Sequence, residues 1–323
     1  MTKSDLQEAV RVFGEGGSFL VLGHVNPDGD SLGCMCAFRL AAQSMGKSAV
    51  TVSADAVPEN YRFLQGSEHI LREAPSGERF DVGVILDCDG PGRLGAPSEV
   101  LESCAKTLEF DHHPGVERIS DVRVIDSSAA STGEILYEFF VEAGVNITPQ
   151  IAECLLTAIV TDTGCFRFSN VKPSTLRAAS GLLECGVSIN KIVHRVYETR
   201  TLAAAKILGA ALSSLKTSAN GQVAYACITH EQMVSAQTDE AETEGVVNYV
   251  RSVRGARVGI LFRENTDGTT RVSLRSADNL DANQIARLFG GGGHRTAAGC
   301  TLERPLGEAI EAVLSAVQKW MAS

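Results

Sequence analysis

The first 190 or so residues alternate two hydrophobic patterns. Short, continuous apolar runs occur at "SFLVLGH" (18–24), "AVTVSA" (49–54), "FDVGVILDC" (80–88), "TLEFDHH" (107–113) and "VRVID" (122–126). Longer stretches with helical spacing separate them, such as "SLGCMCAFRLAAQSMG", closed by Gly46, and "STGEILYEFFVEAG", closed by Gly144. Strands buried on both faces of a parallel sheet read as unbroken apolar runs. The pattern therefore predicts an α/β domain with a doubly wound, mainly parallel sheet. The opening "SDLQEAVRVFGEGG" reads as an amphipathic helix with Ser4 as its N-cap. Three more helical segments are expected from Pro149 to about Tyr197.

The pattern then changes. "TLAAAKILGAALSSLKT" (201–217) is an alanine-rich helix with no strand partner, and it reads as a connector. Beyond it, "QVAYACIT", "ARVGILF" and "TTRVSLRS" predict strands interleaved with helices, ending in the helix "LGEAIEAVLSAVQKWMA". The expected division is a domain over 1–195, a helical connector over 196–218 and a smaller α/β domain over 219–323.

Composition narrows the possible environments. The 9 cysteines form no CxxC pair and no zinc-ribbon spacing, so Cys34 and Cys36 read as buried thiols in a reducing interior. No run reaches the roughly 18 apolar residues of a membrane helix, and the opening helix is not a cationic, apolar leader. A cytoplasmic protein without membrane contact is expected. The net charge of −10 argues against a grip on long nucleic acid, which calls for a basic face. It leaves short anionic substrates, if metals or a few arginines supply positive charge.

Polar residues collect where the apolar runs end. The first run leads into "GHVNPDGDSLG" with His24, Asp28 and Asp30; the third ends in "ILDCDG" with Asp87 and Asp89. The fourth ends in Asp111, His112 and His113, and the helical "IAECLLTAIVTDTG" ends near Asp162. Singly, each has a plain structural explanation: "NPDGD" is good turn chemistry, Asp87 and Asp162 could be caps, and His112 could be a satisfied core residue. Jointly they do not, because open α/β sheets place their crevice beyond the carboxyl ends of the strands. Aspartates crowded there would repel unless cations are present. Asp28, Asp30, Asp87 and Asp162 carry four negative charges, which two divalent cations neutralise. His24 and His112 add imidazoles, and mixed ligation of this kind suits Mn²⁺ better than all-oxygen Mg²⁺. A metal pair can clamp a phosphoryl group for in-line attack, so the residues alone point to a dinuclear phosphoesterase. In an extended strand His112 and His113 would face opposite ways, which predicts different tasks for them.

The order of these segments resembles the DHH phosphoesterase superfamily, named for the triplet Asp111-His112-His113. "HVNPDGDSLG", "LDCDG", "DHH" and "TDTG" are similar to its four N-terminal motifs, with Ser31 and Cys34 where alanine and serine are frequent. "RVSLRS" and "GGGGHRTAAG" are similar to the two motifs of the DHH-associated C-terminal domain. The resemblance implies one metal on His24, Asp28 and Asp87, and another on Asp30, Asp87, His112 and Asp162, with Asp87 bridging. The expected ion is Mn²⁺, with Mg²⁺ and Co²⁺ as alternatives. It implies catalytic roles for His113, at the scissile phosphate, and for Asp111, orienting a histidine. It implies substrate contacts from Ser273, Arg275, Gly291, Gly292, Gly293 and His294, with Arg271 and Arg295 as weaker candidates. Gly290 to Gly293 would free backbone amides for an anion, with a helix beginning nearby. Substrate would lie between the domains, and bending at the connector could close the site.

Among two-domain relatives the chain is most similar to bacterial nanoRNases. These cut very short oligoribonucleotides to mononucleotides, and many dephosphorylate 3′-phosphoadenosine 5′-phosphate. The implied partner is thus a short RNA or small nucleotide, with a homodimer as the candidate assembly. Two alternatives are carried: a phosphodiesterase for cyclic di-AMP or pApA, and a non-catalytic nucleotide sensor. A sensor would be expected to have lost ligands, and none of the expected ones is missing from the sequence.

Overall fold

The computed structural model describes residues 2–94, 98–114, 118–277, 280–293 and 295–322. The chain forms two compact units, 1–199 and 200–323.

The first unit opens with α1 (Lys3–Glu15), whose N-cap is Thr2, not Ser4; the Thr2 hydroxyl accepts from the Asp5 amide. Next come β1 (Ser18–Leu22), α2 (Gly29–Ser44), β2 (Ser48–Val52), β3 (Phe80–Leu86), β4 (Cys104–Asp111) and β5 (Val122–Ile125). Four helices complete it: α3 (Thr132–Glu142), α4 (Pro149–Asp162), α5 (Pro173–Glu184) and α6 (Ile189–Val193). The five strands are all parallel, in the order β2-β1-β3-β4-β5. The strand order reverses between β1 and β3, the place where such sheets bind ligands.

Both faces of the sheet are covered, but unequally. One carries the main core, in which Phe19, Val84 and Phe110 meet Phe13 of α1, Phe38 of α2 and Phe139 of α3. The other carries a thin layer, with Leu20, Ile85 and Val52 under Leu94 and Leu101 from short turns. Each apolar run extends past its last ladder residue, because residues lining the crevice stay buried after pairing stops: Asp87 and His113 are both buried.

Three glycines bring α2, α3 and α4 into close contact. A methyl at Gly33 would lie 2.5 Å from the Cys154 carbonyl oxygen and 3.1 Å from Cβ of Ala158. One at Gly133 would lie 2.6 Å from that same Cβ, and one at Gly29 would lie 2.4 Å from the Thr161 side chain. The start of α2, the start of α3 and the end of α4 are thereby held together.

The second unit contains α7 (Leu202–Ser213), β6 (Lys216–Ser218), β7 (Val223–Ile228), α8 (His230–Ala236), α9 (Val246–Arg251), β8 (Val258–Glu264), β9 (Thr270–Ser276), α10 (Ala282–Leu288), β10 (Gly292–Gly293), β11 (Ala297–Leu302) and α11 (Leu306–Ala322). Its mixed sheet runs β10-β11-β9-β8-β7-β6, with only β7 and β8 parallel. The helix read as a connector lies in this unit, with Ile207 and Ala211 buried against Ala224 and Leu261. Three strands were not legible in the sequence. β6 and β10 are too short for a pattern, and "AAGCTL" of β11 has Thr301 as its one β-branched residue and no aromatic one. Among the described residues, no helix is long and apolar enough to cross a membrane.

The Gly33 contact yields a stability test. Gly33→Ala must push α2 from α4, and overpacking of this kind costs about 1–3 kcal/mol. A thermal melt of the variant should show its midpoint lowered by several degrees; an unchanged midpoint would mean the two helices are not locked there.

Candidate active site

His24 follows the end of β1. Its Nδ1 lies 2.8 Å from the Val25 carbonyl oxygen. Its Nε2 lies 3.7 Å from Asp28 Oδ1 and 3.5 Å from Asp87 Oδ2. Asp28 is also the N-cap of α2, its Oδ1 accepting from the amides of Asp30 and Ser31 at 3.0 and 3.1 Å. The sequence read this segment as turn chemistry; the structure adds a cap at Asp28, and the cap holds it beside His24.

Asp87 stands just past β3 with φ +55°, a left-handed conformation that costs an L-residue on the order of 1 kcal/mol. It caps no helix. It is buried, and its two oxygens face different neighbours: Oδ2 faces His24, while Oδ1 lies 3.6 Å from His112 Nε2. The Thr132 hydroxyl donates to Oδ1 at 3.0 Å.

The same His112 Nε2 lies 3.5 Å from Asp162 Oδ2, at the last residue of α4, and 3.9 Å from Asp30 Oδ2. Both Asp30 oxygens receive backbone amides from the first turn of α3: Thr132 N–H to Oδ2 at 2.7 Å and Gly133 N–H to Oδ1 at 3.0 Å. A helix N-terminus is a natural anchor for a carboxylate. The Cys34 thiol adds a weak donation to Oδ1 at 3.3 Å.

The structure thus brings His24, Asp28, Asp30, Asp87, His112 and Asp162 into one cluster. Their facing atoms are 3.5–3.9 Å apart, beyond hydrogen-bond contact. Metal–ligand bonds of about 2.0–2.2 Å put ligand atoms at roughly this spacing around a shared cation. The electrostatics agree. Burial, then the charges of Asp87 and Asp162, push Asp30 well above the usual carboxylate range. Burial, then Asp28 and Asp87, do the same to Asp162. Burial works against charge on Asp87, but the facing imidazole of His24 and the charges of His112 and His113 hold it low. Burial opposes protonation of His24 too, yet Asp28 and Asp87 outweigh it and raise this group to about 11. His112 is lowered, chiefly by burial. Asp30 and Asp162 driven toward protonation, beside a His24 driven toward its charged form, describe a site short of positive charge. The donor set fits divalent cations.

Strand alternation does not separate the two histidines. β4 ends at Asp111, so His112 and His113 are past the ladder, and their rings lie side by side with centroids 4.5 Å apart. Both face Asp87 Oδ1, at 3.6 and 3.8 Å. What distinguishes them is the nitrogen used. His113 turns Nδ1 to Asp111 Oδ1 at 2.7 Å, which raises it to about 9 against the opposing effect of burial. Asp111 Oδ2 is held by Arg118, which also pairs with Glu109 and donates to the His113 carbonyl at 2.7 Å.

Several of these supports escaped the sequence analysis. Glu109 stands two residues before Asp111, on the same strand face, which was a usable signal. "STGE" is a capping-box pattern marking the N-terminus of α3, and the Ser131 hydroxyl does accept from the Glu134 amide. Arg118 carried no local signal. Neither did Asn170, whose amide group donates to the carbonyls of Ala130 and Asp162 at 3.0 Å each. Arg93 was also unforeseen; one of its nitrogens is 3.1 Å from Asp89 Oδ1 and another 3.2 Å from His24 Nδ1.

In the second unit, Arg271, Ser273 and Arg275 alternate with buried residues along β9 and share one face. Arg275 is deeply set, and desolvation lowers its pKa. Its Nη1 donates to the Leu274 carbonyl at 3.1 Å. The glycine run does not precede a helix. It follows the end of α10 and enters β10, which pairs with β11. Gly293 has φ +138°, and a side chain there would lie 2.6 Å from the Ala297 carbonyl oxygen; at Gly291 it would meet Gly299 O at 2.2 Å. These two glycines are thus required by the hairpin itself, whereas Gly292 has open space around it. His294 lies outside the described residues.

Comparison with known proteins agrees with this division. The DHH family N-terminal domain matches residues 18–159 and the DHHA1 domain residues 220–323. The chain is 33% identical to the bifunctional oligoribonuclease and PAP phosphatase NrnA of Thermus thermophilus, over 94% of this chain and 90% of that protein. It is 27% identical to the protein of the same name from Bacillus subtilis, over 86% and 87% of the two chains. A solved exopolyphosphatase-related protein from Bacteroides fragilis shares the fold, with a TM-score of 0.91 at 24% identity over 99% of this chain and 98% of that one. The chain belongs to the DHH family, in the form that carries a DHHA1 domain after the DHH domain.

Proposed function

We propose that this protein is a metal-dependent phosphoesterase that hydrolyses oligoribonucleotides a few units long to mononucleotides and converts 3′-phosphoadenosine 5′-phosphate to AMP. The observation that carries the reading is Asp87, whose two oxygens face the two histidines of opposite halves of one carboxylate cluster. The names of the Thermus and Bacillus relatives supply the substrate class.

His24, Asp28 and Asp87 would hold one divalent ion, and Asp30, Asp87, His112 and Asp162 the other. Bound there, Mn²⁺ would neutralise phosphate charge and lower the pKa of water for in-line attack. The protein's own groups do the rest. Asp111 fixes the His113 ring through Nδ1 and leaves Nε2 as the atom to hold or deliver a proton at the phosphoester. Arg118 keeps the second Asp111 oxygen occupied, so Asp111 does not turn toward the metal ligands. In the second unit, the forked guanidinium of Arg275 and the Ser273 hydroxyl would bind substrate phosphate. Nine unpaired cysteines support a reducing, cytoplasmic setting.

A side-by-side assay of pApA, 3′-phosphoadenosine 5′-phosphate and cyclic di-AMP tests the reading. Turnover of the first two in Mn²⁺, abolished by a chelator, is expected. Turnover of cyclic di-AMP alone would move the protein to the cyclic-dinucleotide class, and no turnover with Mn²⁺, Co²⁺ or Mg²⁺ would refute an enzyme.

Three variants separate the roles. Asp87→Asn should reduce kcat by about a thousandfold or more, since it removes several kcal/mol of charge stabilisation, and should lower Mn²⁺ content. His113→Asn should cost about 10²–10⁴-fold in kcat while Mn²⁺ content is kept. Loss of metal in the His113 variant, or retention of rate in the Asp87 variant, would reverse the assignments. Arg275→Ala should raise KM roughly 10- to 100-fold, the worth of a charged hydrogen bond, with Mn²⁺ content intact. An unchanged KM would leave Arg275 with a purely structural role.

A further inference from the structure

Thr132 touches both halves of the carboxylate cluster. It is fully buried, its amide donates to Asp30 Oδ2 at 2.7 Å, and its hydroxyl donates to Asp87 Oδ1 at 3.0 Å. The hydroxyl had another choice. Inside helices threonine commonly bonds back to the carbonyl four residues earlier, and Thr157, Thr161 and Thr163 of this protein do so. Thr132 is the first residue of α3, where no helical carbonyl lies behind it. Its hydroxyl is thus free for Asp87, and its β-branched side chain is stiff about χ1.

From this geometry we infer that Thr132 is a positioning residue for the bridging carboxylate. Its hydroxyl fixes the rotation of the Asp87 carboxyl group, so that Oδ1 stays on the His112 side and Oδ2 on the His24 side. Asp30 is held by the same residue through its backbone, so one side chain and one amide set the spacing of the two half-sites. Gly133 completes the anchor, because a side chain there would strike Ala158 at 2.6 Å and push the amide away from Asp30. The inference rests on the metal-centre reading above. It adds a residue that touches neither metal nor substrate but decides whether two ions can share one aspartate.

Thr132→Val keeps the shape and removes the donor, Thr132→Ala removes the donor without bulk, and Thr132→Ser restores it. Mn²⁺ binding is measured by equilibrium dialysis on the full chain, and the ions are examined by electron paramagnetic resonance. Wild type and Thr132→Ser should bind two ions and show the signal of an exchange-coupled pair. The Val and Ala variants should lose about 10- to 100-fold in affinity for at least one ion, the usual cost of removing a partner of a metal ligand. Their spectra should shift to the hyperfine pattern of isolated Mn²⁺. Circular dichroism and melts in chelator report folding separately. If either folded variant binds two coupled ions with wild-type affinity, Thr132 does not position Asp87. A serine variant that fails as the valine variant does would also overturn the inference. If the wild type binds no Mn²⁺, the metal-centre reading itself falls, and this inference with it.

Discussion

Everything in the first unit is arranged around a repulsion. Asp30, Asp87 and Asp162 each place an oxygen within 3.9 Å of the same His112 nitrogen, and Asp30 and Asp87 are buried. Oxygens of Asp30 and Asp162 lie within 4.8 Å of each other, a separation at which two like charges repel by roughly 3–4 kcal/mol even with an effective dielectric constant near 20. The protein offsets part of this with fixed dipoles. The first turn of α3 gives two amides to Asp30, and the Thr132 hydroxyl supports Asp87. What dipoles leave uncompensated is room for cations.

Holding carboxylates against their own repulsion requires stiff supports, and the fold supplies them by close backbone approach. Gly33 and Gly133 let α2 and α3 settle on Ala158 of α4, so the helices that carry Asp30 and Asp162 and the helix whose amides hold Asp30 cannot drift apart. Small residues at helix contacts are usually explained as packing economy. Here they fix the distance between Asp30 and Asp162. The left-handed backbone at Asp87 belongs to the same pattern, since strain at a site persists only where surrounding structure enforces it.

The paired histidines show how one short motif serves two purposes. They are neighbours in chain and in space, yet they differ in the ring nitrogen that each commits. His112 presents Nε2 to three carboxylates, while His113 commits Nδ1 to Asp111. The buried Arg118 pairing with Glu109 and Asp111 keeps that second arrangement electrically closed. A buried carboxylate left unpaired there would otherwise compete with Asp30, Asp87 and Asp162 for the same histidines.

Much of this was legible in the chain itself. Continuous apolar runs identified the parallel sheet, because strands covered on both faces have no polar side. Aspartates and histidines at the ends of those runs identified the crevice, because strand ends are where such sheets open. Local rules misplaced Ser4 as a cap, missed the alanine- and glycine-rich β11, and expected a helix after the glycine run where a hairpin forms. They also assigned His112 and His113 to opposite faces, which holds only while the strand continues. The remainder depended on contacts far apart in sequence. Thr132 reaches Asp30 and Asp87 across 102 and 45 residues, and Asn170 reaches Ala130 across 40. A sequence displays which groups can bond and how they repeat along one element; which carboxylate meets which donor is decided when separate elements are brought to a single point.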